Sequence, residues 1–228
     1  MNINPYDKEI GAWITPGSGI EFCVWAPKAD NMQLELVKPE SKIIPMTSED
    51  FGYWTVRIPP AYGDIEYYYR LNGTVSRPDP ASHFQPYGVH KQSRAVDHPS
   101  FSWRDRDWKN IPLEDMIIYE LHIGTFTPEG TFEAAIQRLD YLKNLGVNTI
   151  SLMPVSQFPG SRNWGYDGVH SFAVQNSYGG PDGLKTLVDA AHRMGMAVAL
   201  DVVYNHIGPE GNYLHEFAPY FTEKYMTP

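Results

Sequence analysis

Hydrophobic and polar residues alternate along several short runs in the first hundred residues. In the run MQLELV, Met32, Leu34 and Leu36 fall on one side of an extended chain and polar residues fall on the other. Comparable runs, separated by turn residues, are IEFCVWAP, GYWTVRIPP and IEYYYRLNG. Short strands at even spacing are typical of an all-β sandwich. The pattern therefore predicts a small antiparallel β domain over residues 1–76.

The next stretch, residues 77–110, has no hydrophobic period. It is rich in proline, serine and aromatic residues, as in RPDPASHFQPYG and DHPSFSW. Frequent proline and serine are typical of irregular backbone, and the aromatic content argues against a free linker. We interpret this stretch as an irregular connector packed on the surface.

Strand-like and helix-like runs alternate over residues 111–228. The strands are MIIYELHIG, VNTISLMPV and MAVALDVV, and the helices are TFEAAIQRLDYLKNLG and DGLKTLVDAAHRMG. Thr131 is a suitable N-cap for the first helix and Gly146 a suitable end, while Gly195 ends the second. The second helix is expected to bury Leu184, Leu187, Val188 and Ala191.

Strands that alternate with helices predict parallel β/α units, whose polar strand ends collect on one side. Doubly wound nucleotide-binding sheets carry glycine-rich phosphate turns, and neither GxGxxG after the first strand nor GxxxxGK[ST] is present. The pattern favours the first three units of a (β/α)8 barrel, whose sites form at the carboxyl ends of the strands.

Composition narrows the possible partners. The chain has 228 residues and a formal net charge of -9, and it shows no Lys/Arg cluster, so nucleic acid is not expected. The single cysteine, Cys23, lies in an apolar run and predicts an inert buried thiol. The start MNINPYDKEIG resembles no export signal, and no run is long enough to span a membrane. We expect a soluble cytoplasmic protein that does not bind membranes.

Polar residues cluster where the barrel interpretation places strand ends. The run MAVALDVV is expected to be apolar on both faces, and it passes directly into Tyr204, Asn205 and His206. A single histidine is often structural, but its place just past a buried strand favours a ligand-binding role. The candidate residues at these ends are His122, Trp164, Tyr166, Asp167, His170, Asn205 and His206.

Several segments carry a family resemblance. DVVYNH resembles the first signature region of the α-amylase superfamily, and NWGYDGV resembles its aromatic segment after the second barrel strand. The β domain with VWAP resembles the glucan-binding module of branching and debranching enzymes. Three longer segments, RPDPASHFQPYGVH, YELHIGTFTPEGTF and DVVYNHIGPEGNYL, resemble the maltooligosyltrehalose trehalohydrolases within that superfamily. The implied fold is an immunoglobulin-like all-β sandwich followed by an incomplete (β/α)8 TIM barrel.

The resemblance also implies roles for individual residues. Tyr166 would stack on the glucose next to the scissile bond, and His206 would donate a hydrogen bond to it. Asn205 occupies a position that resembles a calcium ligand in many α-amylases, but its companion ligands cannot be identified, so we predict no metal site. Asp201, expected inside the third strand, is interpreted as a structural carboxylate behind the site. The predicted substrate-binding residues are Tyr166, Asp167, His206, Asn205 and His122.

The implied reaction is hydrolysis of the α-1,4 bond that joins trehalose to a maltooligosaccharide, with retention and without a cofactor. Retaining glycosidases need two carboxylates about 5 Å apart. In the family these follow the fourth and fifth barrel strands, whereas this sequence ends soon after the third. Glu210 and Glu216 cannot be given those roles merely because they are present. No catalytic residue is therefore assigned.

Two alternatives remain at this point. One is a fragment of a glycogen branching enzyme, and the other is a non-catalytic glucan-binding or scaffold protein. Downstream coding sequence with further strands ending in Asp and Glu would support the enzyme, and a genuine stop after Pro228 would support the scaffold. In either case an incomplete barrel leaves strand edges open, so we expect self-association.

The first prediction is that the 228-residue chain hydrolyses no α-glucan, because no nucleophile and acid/base pair is available to it. The measurement is release of trehalose or glucose from maltooligosyltrehalose by the purified chain. Release above that of a blank preparation would mean that the catalytic groups are misplaced.

Overall fold

The structure, a computed structural model, describes residues 8–60, 63–222 and 224. These form two compact units. One holds the described residues up to Pro99 together with those from Gly211 onward, and the other covers Ser100–Glu210. The boundaries that the sequence predicts at residues 76 and 110 stay a prediction. No helix within the described ranges is long and apolar enough to cross a membrane, and residues 1–7 of the N-terminal run lie outside those ranges.

The first unit is built from short antiparallel strands, as the alternation predicts. The strands are β1 (Gly11–Thr15), β2 (Gly19–Trp25), β3 (Met32–Lys38), β4 (Lys42–Pro45), β5 (Thr47–Ser48), β6 (Tyr53–Ile58), β7 (Glu66–Leu71), β8 (Val75–Arg77) and β9 (Ser93–Arg94). They form two sheets with the orders β1-β2-β6-β5 and β4-β3-β7-β8, and β9 pairs with β7. Helices of the 3-10 type lie at Asp50–Gly52 and His98–Ser100.

The core of this unit lies between the two sheets. The alternating residues Met32, Leu34 and Leu36 of β3 are all buried, as predicted. Phe22 of β2 meets Tyr67 of β7 edge to face, with 4.8 Å between ring centroids. Contact between side chains of both sheets is the packing of a β-sandwich.

The second unit contains the three predicted parallel strands with helices between them. The elements are β10 (Ile118–Leu121), α1 (Ile123–Phe126), α2 (Phe132–Ile136), α3 (Leu139–Asn144), β11 (Thr149–Leu152), β12 (Ser156–Gln157), β13 (His170–Val174), α4 (Gly180–Arg193) and β14 (Ala197–Leu200). The three-stranded sheet has the order β10-β11-β14, and a separate antiparallel pair consists of β12 and β13. Helices of the 3-10 type lie at Leu113–Asp115 and Asn176–Tyr178.

Pairing in the parallel sheet is in register. Ile118 of β10 lies beside Thr149 of β11, which lies beside Ala197 of β14, and the three strands end together at Leu121, Leu152 and Leu200. Since the ends are level, the residues that follow each strand emerge on the same side of the sheet.

The two faces of this sheet differ in polarity. Tyr119, Ile150 and Val198 belong to the core with the helices. The third strand, with the sequence AVAL, is apolar on both faces as expected. In β10 and β11 the face away from that core also carries polar residues, Glu120 and Ser151. Mixed side chains of this kind are typical of the interior of a barrel.

Three local details depart from the sequence interpretation. The first predicted helix is divided into α2 and α3, because the Arg138 amide donates to the carbonyl of Ala135 and tightens the turn there. The ribbon of β12 and β13 lies where a long loop is expected. The third parallel strand ends at Leu200, so Asp201 lies at its carboxyl end and not inside it.

The helix ends agree with the sequence. Thr131 caps α2 by accepting a hydrogen bond from the Ala134 amide at 3.2 Å. Gly146 and Gly195, which follow α3 and α4, both have positive φ. Helix α4 begins two residues earlier than the predicted run and places Pro181 in its first turn.

The segment from Gly211 packs with the β-sandwich unit, although the sequence places it in the barrel. It contains the short helix α5 (Leu214–Phe217), and both Phe217 and Ala218 are fully buried in the core of the first unit. Arg77 donates through Nε to both carboxylate oxygens of Glu216 at 2.9 and 3.0 Å. Burial of the Phe217 ring and this ion pair explain why the segment belongs to the first unit.

Two buried carboxylates of the first unit have pKa values shifted in opposite directions. Burial alone would raise the pKa of Glu66, but hydrogen bonds from Gln92, Arg94, Lys38 and Tyr87 outweigh it and lower the pKa to about 2. Asp79 is also fully buried, and among the described residues its carboxylate accepts hydrogen bonds from the Tyr67 hydroxyl and the Ala81 amide. Burial dominates there and raises the pKa of Asp79 to about 6.

The second prediction follows from Asp79. A carboxyl whose pKa is higher in the folded state than in the unfolded state stabilises the fold below its unfolded pKa, and this contribution is lost as the pH rises through about 6. Asp79→Asn should therefore reduce the loss of unfolding free energy between pH 5 and pH 7.5. Urea denaturation at both pH values measures the difference.

Asp64→Asn, at a half-exposed carboxylate, is the matched control. An equal pH dependence in the wild-type chain and in Asp79→Asn would show that Asp79 titrates as an ordinary carboxyl.

Candidate functional site

The polar residues predicted at the strand ends emerge together from the parallel sheet of the second unit. His122 follows β10, the loop that holds Tyr166 and Asp167 follows β11, and Asp201 with His206 follows β14. Because the three strands end in register, this is the carboxyl-terminal edge where barrel sites form.

Two hydrogen bonds join the loop after β11 to the loop after β14. The Tyr166 hydroxyl donates to Asp201 Oδ2 at 2.9 Å, and His206 Nε2 lies 2.7 Å from the Tyr166 carbonyl oxygen. The bond to Asp201 raises the pKa of Tyr166 above its ordinary value. Tyr166 is therefore held at both its hydroxyl and its backbone, which fixes the plane of its half-exposed ring.

The contact with the Tyr166 carbonyl determines which nitrogen of His206 carries a proton. A carbonyl oxygen only accepts, so Nε2 must donate. In the neutral imidazole Nδ1 is then an acceptor. The sequence predicts a donor to the sugar, whereas this geometry leaves Nδ1 to accept a hydrogen bond from a hydroxyl group.

His122 has its ring nitrogens engaged by protein groups. Nε2 lies 2.7 Å from the Asn163 carbonyl oxygen and 3.0 Å from the Tyr178 hydroxyl, and Nδ1 lies 3.0 Å from the Thr125 hydroxyl. The Asn163 carbonyl requires the proton on Nε2, so Thr125 donates to Nδ1. This histidine thus holds the start of the NWGYD segment.

Asn163 is a member of the site that the sequence interpretation misses. Its Oδ1 accepts from the Gly165 amide at 2.7 Å, and its Nδ2 donates to Asp167 Oδ2 at 3.3 Å. An asparagine two residues before a glycine is a turn signal of the Asx type and could have been noticed. The turn shapes the segment that presents Tyr166.

Two positions in these loops require glycine because another stretch of backbone approaches them closely. At Gly165, with φ +98, an added Cβ would lie 2.2 Å from the Pro154 carbonyl oxygen. At Gly208 an added Cβ would lie 2.4 Å from the Asp167 carbonyl oxygen, and the Gly208 amide donates to the Gly168 carbonyl at 2.9 Å. No larger side chain fits either position without moving the loops.

The remaining candidates vary in exposure. Asp167, Asn205 and His206 are exposed, while His170 is buried on β13. Trp164 and Tyr204 are 75% and 79% exposed. Of the predicted site residues, the structure thus joins Tyr166, Asp201 and His206 directly, and His122 through Asn163.

No group of three or more His, Cys, Asp or Glu side chains that could hold a metal ion lies within residues 8–60, 63–222 and 224. Within those residues, no such group of His, Cys, Asp or Glu side chains is found to bind calcium together with Asn205. Glu216, one of the acidic residues near the site in sequence, is bound to Arg77 in the first unit.

Residues 97–226 match the family described as "Alpha amylase, catalytic domain". The chain belongs to the α-amylase family. Residues 9–91 match "Carbohydrate-binding module 48 (Isoamylase N-terminal domain)". These matches confirm the predicted fold class, an immunoglobulin-like β-sandwich followed by part of the (β/α)8 barrel of the α-amylase family.

Individual relatives agree with the family. The malto-oligosyltrehalose trehalohydrolase of Saccharolobus solfataricus is 50% identical over 210 residues, which cover 92% of this chain and 37% of the relative. A crystal structure from Salmonella typhimurium, of a protein named as a candidate α-amylase, has a TM-score of 0.92 and 43% identity over 97% of this chain and 38% of that chain.

A branching enzyme is more distant. The 1,4-alpha-glucan branching enzyme GlgB of Pseudoalteromonas atlantica is 28% identical and covers 94% of this chain and 32% of its own length. The chain thus spans about a third of the length of the curated relatives it matches. The α-amylase family and the resemblance to trehalohydrolases, both predicted from the sequence, are confirmed.

The third prediction concerns Gly208. Gly208→Ala should push the loop after β14 away from Asp167 and weaken the His206 contact with Tyr166, at a cost of about 1–3 kcal/mol. Hydrogen exchange of the amides in residues 163–169 and 204–208 should accelerate. Pro209→Ala, at the exposed neighbouring position, is the control. Unchanged exchange in Gly208→Ala would show that this close approach does not hold the loops.

Proposed function

We propose that this chain forms the N-terminal part of a trehalohydrolase that cleaves the α-1,4-glucosidic bond between trehalose and a maltooligosaccharide. The observation that carries the proposal is the joined pair of loops with Tyr166 and His206, placed at the carboxyl ends of strands of an α-amylase-family barrel. The much greater similarity to the named trehalohydrolase than to the named branching enzyme supports this activity over branching.

The sugar-binding roles proposed here follow from the geometry of these loops. The Tyr166 ring, held in a fixed plane by Asp201, would pack against the apolar face of a glucose ring. His206 Nδ1 would accept from a hydroxyl of the same glucose. Asp167 and Asn205, both exposed, would bind further hydroxyl groups. His122 would act indirectly, through the Asn163 turn.

The chemical step needs a nucleophilic carboxylate and an acid/base carboxylic acid on either side of the scissile bond. By resemblance to the family these lie after the fourth and fifth strands of the barrel, and the parallel sheet of the described residues has three strands. The residues of this chain would therefore orient the glucose at the scissile bond, and none is assigned to the chemical step.

We also propose a cytoplasmic location. Cys23 is a free, buried thiol, and burial raises its pKa to about 11, so it stays protonated and unreactive. A lone inert thiol suits a reducing compartment. Cell fractionation of a strain that expresses the natural gene measures the location directly.

The fourth prediction tests the function in the protein that carries this chain together with a complete barrel. Tyr166→Ala and His206→Ala should each lower kcat/KM for maltooligosyltrehalose at least about tenfold, since both contacts strengthen as the glucose ring distorts toward the transition state. Tyr141→Ala on α3 and His215→Ala on α5, both at exposed positions, are the matched controls.

Trehalose release and chain transfer are scored in the same assay. Chain transfer without trehalose release would replace the proposed activity with branching, and binding of glucan with neither product would replace it with a scaffold role. Wild-type kinetics in either variant would remove that residue from the site.

Self-association is a further part of the proposal. Strands β10 and β14 are both edges of the three-stranded sheet, and Ile118, Leu200 and Val202 are each about half exposed. In the described part of this unit no helix follows β14. Open backbone edges flanked by apolar side chains pair with other chains.

The fifth prediction is that the 228-residue chain elutes as dimers or larger species, measured by size-exclusion chromatography with light scattering. Lysine at an edge opposes strand pairing, so Leu200→Lys with Val202→Lys should shift the chain toward monomer, and Tyr141→Lys should not. A monodisperse wild-type monomer that melts cooperatively would contradict this proposal. A chain shortened to residue 110 cannot serve as the monomeric control for this measurement, because it lacks Phe217 and Ala218, which are buried in the core of the first unit.

A further inference from the structure

A cavity of about 670 Å³ lies in the second unit, away from the loops described above. It is lined by the segment before β10 and by the end of α4, up to Gly195. Gly195 precedes the amino end of β14, so the cavity lies at the opposite end of the sheet from Tyr166 and His206. Its volume is within the range of ligand sites, roughly 300–1,000 Å³.

One aromatic ring in this cavity is fixed in place by its neighbours. The half-buried Trp108 stacks on His192 with 4.3 Å between ring centroids and 5° between planes. His192 Nδ1 donates to Asp105 Oδ2 at 2.7 Å, and the Trp108 amide donates to the Asp105 carbonyl at 2.8 Å. The indole plane is therefore set before any ligand arrives, which reduces the entropy cost of binding.

The charged groups around the ring nearly cancel. Arg104 and Arg193 both pair with the buried Asp189, at 3.1 and 3.2 Å, and both guanidinium groups remain partly exposed along the cavity. Lys109, Asp105, Asp107 and Ile111 also line the cavity. The buried Asp189 does not line it but pairs with both guanidinium groups from behind, so three cationic side chains and three carboxylates balance in this cluster and neither an anion nor a cation is favoured.

We propose that this cavity binds a neutral oligosaccharide. A pyranose packs its C–H face on an aromatic plane such as Trp108, and its hydroxyl groups both donate and accept. The lining supplies donors from guanidinium and ammonium groups and acceptors from carboxylates, and the buried Asp189 behind it offsets the remaining positive charge. The assignment stands on the chemistry of the cavity and does not depend on the proposed reaction.

The test uses the 228-residue chain and maltotetraose as the probe, with ligand-observed saturation-transfer NMR, which tolerates self-association. Trp108→Ala should reduce the transferred signal, since one aromatic packing contact is lost. Trp103→Ala is the matched control, because this exposed tryptophan of the same segment packs on Phe101 outside the cavity.

Two further variants separate the cavity from the strand-end site and from loss of fold. The comparison of Trp108→Ala with Trp103→Ala is also made in the background Tyr166→Ala, His206→Ala, because the proposed function gives both of those residues contacts with a sugar. The signal that remains in this background belongs to the cavity, and Trp108→Ala should lower it about fivefold. Asp107→Ala, at an exposed lining position, should also lower the signal. This variant replaces Trp108→Ala in the test if circular dichroism shows that Trp108→Ala has lost its fold.

Several results would overturn the proposal. These are no signal in the wild-type chain, equal signals in Trp108→Ala and Trp103→Ala, and loss of the signal in the double variant. Competition by inorganic phosphate would show an anion site in place of a neutral one.

Discussion

Parallel pairing in register is the constraint on which the rest of the second unit depends. Three strands of four residues pair so that Leu121, Leu152 and Leu200 are level. The residues that follow each strand must leave the core on the same side of the sheet. This is because each crossover helix returns the chain to the opposite end of the sheet before the next strand begins. Asp201, His206 and the Tyr166 loop meet for this reason, although up to forty positions separate them along the chain.

Backbone atoms make much of the site, which explains how a short polar segment can be rigid. His206 binds the Tyr166 carbonyl, His122 lies against the Asn163 carbonyl, and Gly208 approaches Asp167 more closely than any side chain would allow. Buried or half-buried backbone groups need partners, and here the histidines supply them. As a result each histidine has fewer ring nitrogens left for a ligand: among the described residues His206 leaves Nδ1 available, whereas both nitrogens of His122 are engaged.

Sequence patterns predict those parts of the molecule that obey simple periods. Alternation in MQLELV located β3, and Thr131 with Gly146 located the limits of the first helical region, because caps and period-2 burial are local effects. No local pattern predicts the ribbon of β12 and β13, the break at Arg138 or the packing of Phe217 in the β-sandwich. They depend on tertiary contacts between distant positions, and a single sequence does not encode such contacts in any short window. Within the candidate site, residue types and strand ends indicate Tyr166 and His206 as site residues. Which nitrogen of His206 carries the proton follows only from the position of the Tyr166 carbonyl oxygen, which the sequence does not give.

The buried carboxylates show how partner identity, and not burial alone, decides charge. Glu66 and Asp79 are both fully inaccessible to solvent, and burial opposes ionisation in each. Glu66 accepts hydrogen bonds from Gln92, Arg94, Lys38 and Tyr87, two of which are cationic, and its pKa falls to about 2. Among the described residues the Asp79 carboxylate accepts from the Tyr67 hydroxyl and the Ala81 amide, both neutral, and its pKa rises to about 6. Two neutral donors recover less of the lost hydration than four donors of which two are charged, so Glu66 stays ionised in the same core in which Asp79 takes up a proton as the pH falls through about 6.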